Sequence, residues 1–146
     1  MTVSVRDAMA SDPDALLVLL VQLSPANADT DRSVAERLLA ALIGDERTRL
    51  MVATDGHLLL GTATLVVVPN LTHNGRPWVQ LENMVVDESR CGHGIGKALL
   101  DACKEAAWEA GSYKVQLQSA NARDGAHSFY AREGFEPSSQ GFRFYR

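Results

Sequence analysis

Cysteine is scarce in this chain. Cys91 and Cys103 are the only two in 146 residues, too few for a disulfide framework and without the paired spacing of a zinc site. Histidine is scattered: of His57, His73, His93 and His127, only His93 lies near a cysteine, which offers two ligands where structural zinc takes four. No metal site is expected. Long apolar runs are missing too. The longest, Leu16 to Leu23, falls well short of the ~20 residues a bilayer span needs, and nothing basic precedes it as in a secretory leader. A protein without a membrane segment, residing in the cytoplasm, is expected. Dense basic runs are absent as well. With a net charge of −4 and a pI near 5.5, a nucleic-acid backbone is a poor partner, while a small cationic substrate is compatible.

What is present is enough for a core. At 46% hydrophobic residues, the chain fits one domain spanning residues 1–146, with no room for a second and no repeats. Thr2 to Arg6 alternates like a strand. Asp12-Pro13 places an N-cap before proline at the first helical position, predicting a helix to Leu23. Ser24 to Arg32 is a polar loop of lid-like composition. Ser33 with Glu36 forms a capping box for a helix ending near Gly44. Arg49–Thr54 and His57–Val68 are β-rich runs around the hairpin signal Asp55-Gly56, and Pro69–Pro77 leads to a strand over Trp78–Asp87. A helix follows with Ile95, Leu99, Ala102, Cys103 and Ala106 on one stripe, so Cys103 is expected to be a small buried residue. A strand over Lys114–Ser119, a helix over Asp124–Glu133 closed by Gly134, and a strand over Phe142–Tyr145 complete an α/β layered order with a mixed sheet.

The strand–loop–helix passage around Gly92, Gly94 and Gly96 carries the clearest chemistry. Glycines there let a helix N-terminus bring backbone N–H groups close to phosphate oxygens. A nucleotide-hydrolase phosphate loop would need glycine at 91 and a hydroxyl residue at 98, where Cys91 and Ala98 stand. The dinucleotide fingerprint would need glycine at 97 or 99, where Lys97 and Leu99 stand. A pyrophosphate-bearing cofactor held by another kind of glycine loop remains, as does a glycine-shaped surface turn without a ligand.

Leu81-Glu82-Asn83-Met84-Val85-Val86-Asp87, Gly92 to Leu100, Asn121, and Phe129-Tyr130-Ala131-Arg132-Glu133-Gly134-Phe135 together resemble the GCN5-related N-acetyltransferase (GNAT) superfamily. The element order is similar too, and the likeness covers nearly the whole chain. It implies a mixed, mostly antiparallel sheet with helices on both faces. The strands over Trp78–Asp87 and Lys114–Ser119 would splay at the cofactor site. Acetyl-CoA is the implied cofactor, and the amine of a small molecule the usual acceptor. The pyrophosphate would lie on the backbone of Cys91, Gly92, His93, Gly94, Ile95, Gly96 and Lys97, and the pantetheine arm beside Met84, Val85, Val86 and Asn121. One departure is visible: Cys91 occupies a position where the family commonly has Arg or Gln, with Arg90 one place early.

An amine is protonated at neutral pH and must lose a proton before it attacks a thioester. Glu82 matches the family's general base, and strand alternation would put it on the face of Met84 and Val86 unless a bulge intervenes. A backbone N–H near Met84 would meet the negative charge gained by the thioester oxygen. Tyr130 matches the tyrosine that protonates the departing thiolate; without the motif it reads equally as a core aromatic beside Phe129. His127 reads as an exposed helix histidine near Tyr130. Asp29, Asp31 and Glu36 read as a cation-attracting rim or as solvated loop charges, and His73, Asn74 and Arg76 are similarly open. A cysteine nucleophile is not expected, because Cys91 belongs to the phosphate loop. Direct transfer to an amine, with Glu82 as base and Tyr130 as acid, is the implied activity. A non-catalytic acyl-CoA-binding module and an enzyme acting on a peptide or protein amine are the alternatives. Family members often dimerise through C-terminal strands, and Phe142, Phe144 and Tyr145 suit such an interface or the core.

Overall fold

A computed structural model describes all residues, 1–146. It comprises two compact units, 1–116 and 117–146. The first contains β1 (Ser4–Asp7), α1 (Pro13–Leu23), α2 (Arg32–Ile43), β2 (Thr48–Asp55), β3 (Leu58–Val68), β4 (Trp78–Val86), α3 (Ile95–Glu109) and β5 (Val115–Gln116). The sheet runs β1-β2-β3-β4-β5, antiparallel except for the parallel β4–β5 pair. This is the expected mixed, mostly antiparallel α/β sheet. The hairpin turn sits one residue later than its sequence signal, since Asp55 pairs with Leu58 and leaves Gly56-His57 as the turn, with Gly56 supplying the positive φ of 59°.

Helices cover both faces, so β2 and β3 bury residues without strict alternation. On one face Leu16 and Leu19 of α1 and Leu39 of α2 pack with Ala8, Val52, Leu59 and Val85. On the other, α3 buries Ile95, Leu99, Leu100, Cys103 and Ala107, and the Cys103 thiol lies 3.9 Å from the Met51 sulfur. Cys103 is therefore the buried residue its stripe predicts.

Two helix starts differ from the sequence reading. Asp12 precedes Pro13 as expected, but its side chain does not cap α1. It accepts two hydrogen bonds from Arg6, at 2.8 and 3.1 Å, and one from the Met9 N–H at 2.7 Å. A two-pronged guanidinium outcompetes a single helix amide. α2 begins earlier than predicted. Asp31 is its N-cap and accepts from the Ser33 N–H at 2.7 Å, while Glu36 pairs with Arg32 at 2.6 Å instead of closing a capping box. Arg32 also holds Asp14, and Asn27 in the loop between the helices donates to the Leu20 carbonyl at 2.7 Å.

The C-terminal unit contains α4 (Asp124–Arg132), closed by Gly134 at φ 90°, with the Phe135 N–H donating to the Tyr130 carbonyl at 2.9 Å. Two strand predictions are corrected. β5 is two residues long, not six, and residues 142–145 form no strand. Phe142, Phe144 and Tyr145 have the alternation of a strand but no ladder to join. They are exposed, at 89%, 102% and 76% of their accessible surface, which removes the core reading.

The Arg6–Asp12 contact makes a testable contribution. Asp12 is buried, and the hydrogen bonds from Arg6 hold its carboxyl below the ordinary value of 3.8. A native value below the unfolded one means that the stabilisation is complete above about pH 4 and fades as pH falls through the native value. Asp12→Asn is expected to cost about 2 kcal/mol at pH 7 by urea unfolding, with the deficit shrinking as pH falls below about 4.

Candidate active site

The register of β4 decides what faces where. Thr64 of β3 pairs with Glu82, but Thr62 pairs with Val85, so two steps along β3 match three along β4. Asn83 and Met84 thus face Ala63 alone, a β-bulge, and Asn83 takes φ 52°, a left-handed conformation that asparagine tolerates better than most residues. Gly61, which pairs with Val86, is part of the same device, because a Cβ there would stand 3.0 Å from the Val85 carbonyl oxygen. The bulge corrects the strand-face expectation. Glu82 shares its face with Val85, on the side of α1 and α2, and Val86 is turned to the side of α3. The Val85 side chain is spent in the core, which leaves only its backbone for a ligand.

Glu82 is exposed in this unit and has a fixed neighbour. Its Oε1 accepts from Gln80 Nε2 at 3.0 Å, and Gln80 Oε1 accepts from Gln116 Nε2 at 3.1 Å. The chain Gln116–Gln80–Glu82 crosses from β5 to β4 at the last rung they share, since β4 pairs with β5 only at Val79 and Gln80. From Leu81 to Val86 that edge of β4 has no strand partner. An unpaired strand edge suits an extended ligand carrying amide groups of its own.

Beyond β4 the chain makes a short 3₁₀ turn, Glu88–Arg90, capped by Asp87, whose Oδ1 accepts from the Ser89 N–H at 3.0 Å and the Ser89 hydroxyl at 2.8 Å. These donors hold the Asp87 carboxyl below its usual range. Gln22 of α1 accepts from the Glu88 N–H at 2.9 Å and ties the turn to the helix. Gly92 and Gly94 take φ 83° and 76°, Gly94 is the N-cap of α3, and no side chain caps that helix. The first amides of α3, Ile95, Gly96 and Lys97, are thus available to an anion. The residues fit the phosphate groups of acetyl-CoA through backbone N–H groups. Side chains contribute less. Ile95 is buried, Lys97 pairs with Asp101 at 2.7 Å, and His93 Nδ1 donates to the Arg90 and Cys91 carbonyls at 3.0 and 3.1 Å. Cys91 is exposed, with its thiol 3.7 Å from the Asp87 carbonyl oxygen.

In the C-terminal unit, Asn121 lies in an exposed turn. Tyr130 is half-buried between Phe129 and Phe135, ring centroids 5.2 and 5.7 Å away. His127 is not a free surface histidine: its Nε2 donates to the Ala120 carbonyl at 2.9 Å and pins the start of α4. In the first unit, the acids read as a cation-attracting rim are largely engaged, Asp31 as a cap and Glu36 with Arg32.

The GNAT acetyltransferase family profile matches residues 15–135. A solved structure described as an acetyltransferase, from Agrobacterium tumefaciens str. C58, superposes with a TM-score of 0.92 at 34% identity, covering 98% of this chain and 99% of that one. The glucosamine 6-phosphate N-acetyltransferase of Trypanosoma brucei brucei is 35% identical over 85 residues, a match spanning 58% of this chain and 56% of that enzyme's length. The aminoalkylphosphonate N-acetyltransferase of Salmonella typhimurium (strain LT2) is 29% identical over 140 residues, 95% of this chain and 87% of that enzyme. The chain belongs to the GNAT family and is by class an N-acetyltransferase.

The two thiols are expected to behave oppositely. Burial pushes Cys103 up to about 12, whereas Cys91 is exposed. A disulfide reagent at pH 8 should titrate one thiol in the native chain and two after denaturation. Cys91→Ser should abolish the native reaction.

Proposed function

We propose that this enzyme transfers an acetyl group from acetyl-CoA to the primary amine of a small molecule that also carries a phosphate or phosphonate group, by direct attack. The observation that carries this reading is the placement of Glu82. It lies exposed at the bulge, beside an unpaired strand edge, on the strand that leads into an uncapped helix start.

Acetyl-CoA supplies an activated thioester, and the chain's residues bind and orient it. The α3 amides and the two left-handed glycines would hold the phosphates, and the β4 edge from Met84 to Val86 would pair with the amide-bearing arm. Glu82 takes the proton of the acceptor ammonium. Its Oε1 is occupied by Gln80, so Oε2, which has no partner, is the oxygen that receives it. A backbone N–H near Met84 would meet the charge on the thioester oxygen, and Tyr130, which matches the family's acid, would supply the proton that the leaving thiolate takes. Asn121 would hold the pantetheine arm, as the family resemblance implies. The acceptor class draws on both curated relatives, whose named substrates are amines bearing a phosphorus oxyanion. The protein acts in the cytoplasm, as a single functional domain over residues 1–146.

The test begins with calorimetric titration of acetyl-CoA, where micromolar binding at one site per chain, about −8 kcal/mol, is expected. Thiol release is then followed over a panel of amines. Glu82→Gln and Tyr130→Phe should each lower kcat by about 100-fold while acetyl-CoA affinity is unchanged. Full turnover in both variants would refute the catalytic roles. Cys91→Arg, which restores a cation at the loop position where the family commonly has one, should tighten acetyl-CoA binding several-fold.

A further inference from the structure

The connection between β3 and β4 contains a cluster that the reaction so far leaves unused. His73, Asn74 and Gly75 are three successive left-handed residues, with φ of 54°, 59° and 76°. Two of them bear side chains, at a cost of about 1 kcal/mol each. Asn70 braces the turn from inside: its Nδ2 donates to Thr72 Oγ1 at 2.8 Å and to the Thr72 and Arg76 carbonyls at 3.3 Å. The strained turn delivers the His73 ring onto Tyr113, stacked at 3.9 Å with the planes 13° apart. Arg76 lies 5.8 Å from the centre of the Tyr113 ring on which His73 stacks. Lys114 Nζ lies 5.6 Å from that ring and 5.2 Å from the ring of Trp78.

Three nitrogen-bearing side chains thus meet on two aromatic rings. Arg6, Arg32, Arg49 and Lys97 are each answered by a carboxylate, but Arg76 and Lys114 have no acidic partner. In a chain of net charge −4 these cations are held together by ring faces and not by ion pairs. A phosphorus oxyanion supplies the charge they lack, and arginine meets it with two parallel donors.

The position fits the acceptor and not the cofactor. Trp78 opens β4, and the phosphate-binding start of α3 follows its other end, so the cluster and the cradle flank opposite ends of one strand. Alternation puts Trp78, Gln80 and Glu82 on one face, before the bulge intervenes. Gln116 stands across from Gln80 on the neighbouring strand, and Lys114, just before that strand, accepts from the Val79 N–H at its carbonyl and lays its ammonium over Trp78. Four residues of strand, about 13 Å, separate the Cα atoms of Trp78 and Glu82. Glu82 leans along that interval onto Gln80 and Lys114 Nζ lies over Trp78 at its other end, so a short amine with an oxyanion at its far end spans the distance. The amides of Gln80 and Gln116 form the floor between.

We propose that Arg76, Lys114 and His73, gathered on Tyr113 and Trp78, form the subsite that binds the acceptor's phosphate or phosphonate group and so selects anionic amines over neutral ones. The inference rests on the acetyl-transfer reading above and names the residues that give it specificity.

The experiment has a binding arm and a turnover arm. Methylphosphonate is titrated into the isotope-labelled protein, and the Trp78 indole and Tyr113 ring signals are followed by NMR. Saturable shifts are expected, absent with the neutral dimethyl sulfone and lost in Arg76→Met and Lys114→Met. Thiol release is compared for 3-aminopropylphosphonate and propylamine. The wild type should prefer the phosphonate at least tenfold in kcat/KM. Each variant should raise its KM tenfold or more while acetyl-CoA affinity reports an intact fold. Arg76→Lys should recover part of the loss, and Arg37→Met, an exposed charge change on α2, should keep the preference. Unmoved Trp78 and Tyr113 signals, or a preference that survives both Met variants, would overturn the subsite. Equal turnover of the two amines would also overturn it and leave acetyl transfer standing. Saturable phosphonate binding without turnover of any amine would uphold the subsite and refute the activity.

Discussion

The extra residue in β4 is the constraint around which the site is organised. A strand paired evenly on both edges has no backbone to spare for a ligand, and a strictly alternating one would send Glu82 and Val86 to the same side. By setting Asn83 and Met84 against Ala63 alone, the bulge puts Glu82 on the α1–α2 face and turns Val86 away from it. Val85, now in phase with Glu82, anchors the strand in the hydrophobic cluster of that face. An exposed acid is therefore carried on a strand that a buried valine three positions away anchors in the core.

The sheet around this strand is graded. Its centre, β2 and β3, is buried on both faces and carries no reactive group. The reactive groups collect where pairing stops: at the rung between Gln80 and Gln116, along the edge from Leu81, and in the turn after Asp87. The candidate site occupies the places where the backbone keeps unused hydrogen-bonding capacity, and the core supplies rigidity. The turn is further tied to α1 through Gln22, so the helix that packs behind Val85 also steadies the glycine loop that leads into α3.

Much of this was legible in the chain itself. Alternation in the strands, the proline before α1 and the glycines at 44, 92, 94, 111 and 134 give the element order from β1 to α4, because each is a local rule acting on neighbouring residues. The glycine loop and Glu82 were legible for the same reason. What escaped was set by contacts distant in sequence. Arg6 diverts Asp12 from its helix, and Asp31 displaces Ser33 as a cap. The phase slip leaves only one faint trace, an asparagine where a strand would favour a branched residue. The stacking of His73 on Tyr113 joins positions forty residues apart and has no sequence signal. The strand expected over 142–145 failed for a related reason, since alternation describes a strand's faces and says nothing of a partner to bind its edge.

Gly61 deserves to be seen in that light. It lies on β3 and contributes no side chain, yet a single added carbon would press on the Val85 carbonyl oxygen. The position is thus bound to the bulge through shape alone. A side chain at 61 would disturb the backbone around Val85 without altering any polar group of the candidate site, so that the space left empty on β3 is as much a part of the opening as the residues that line it.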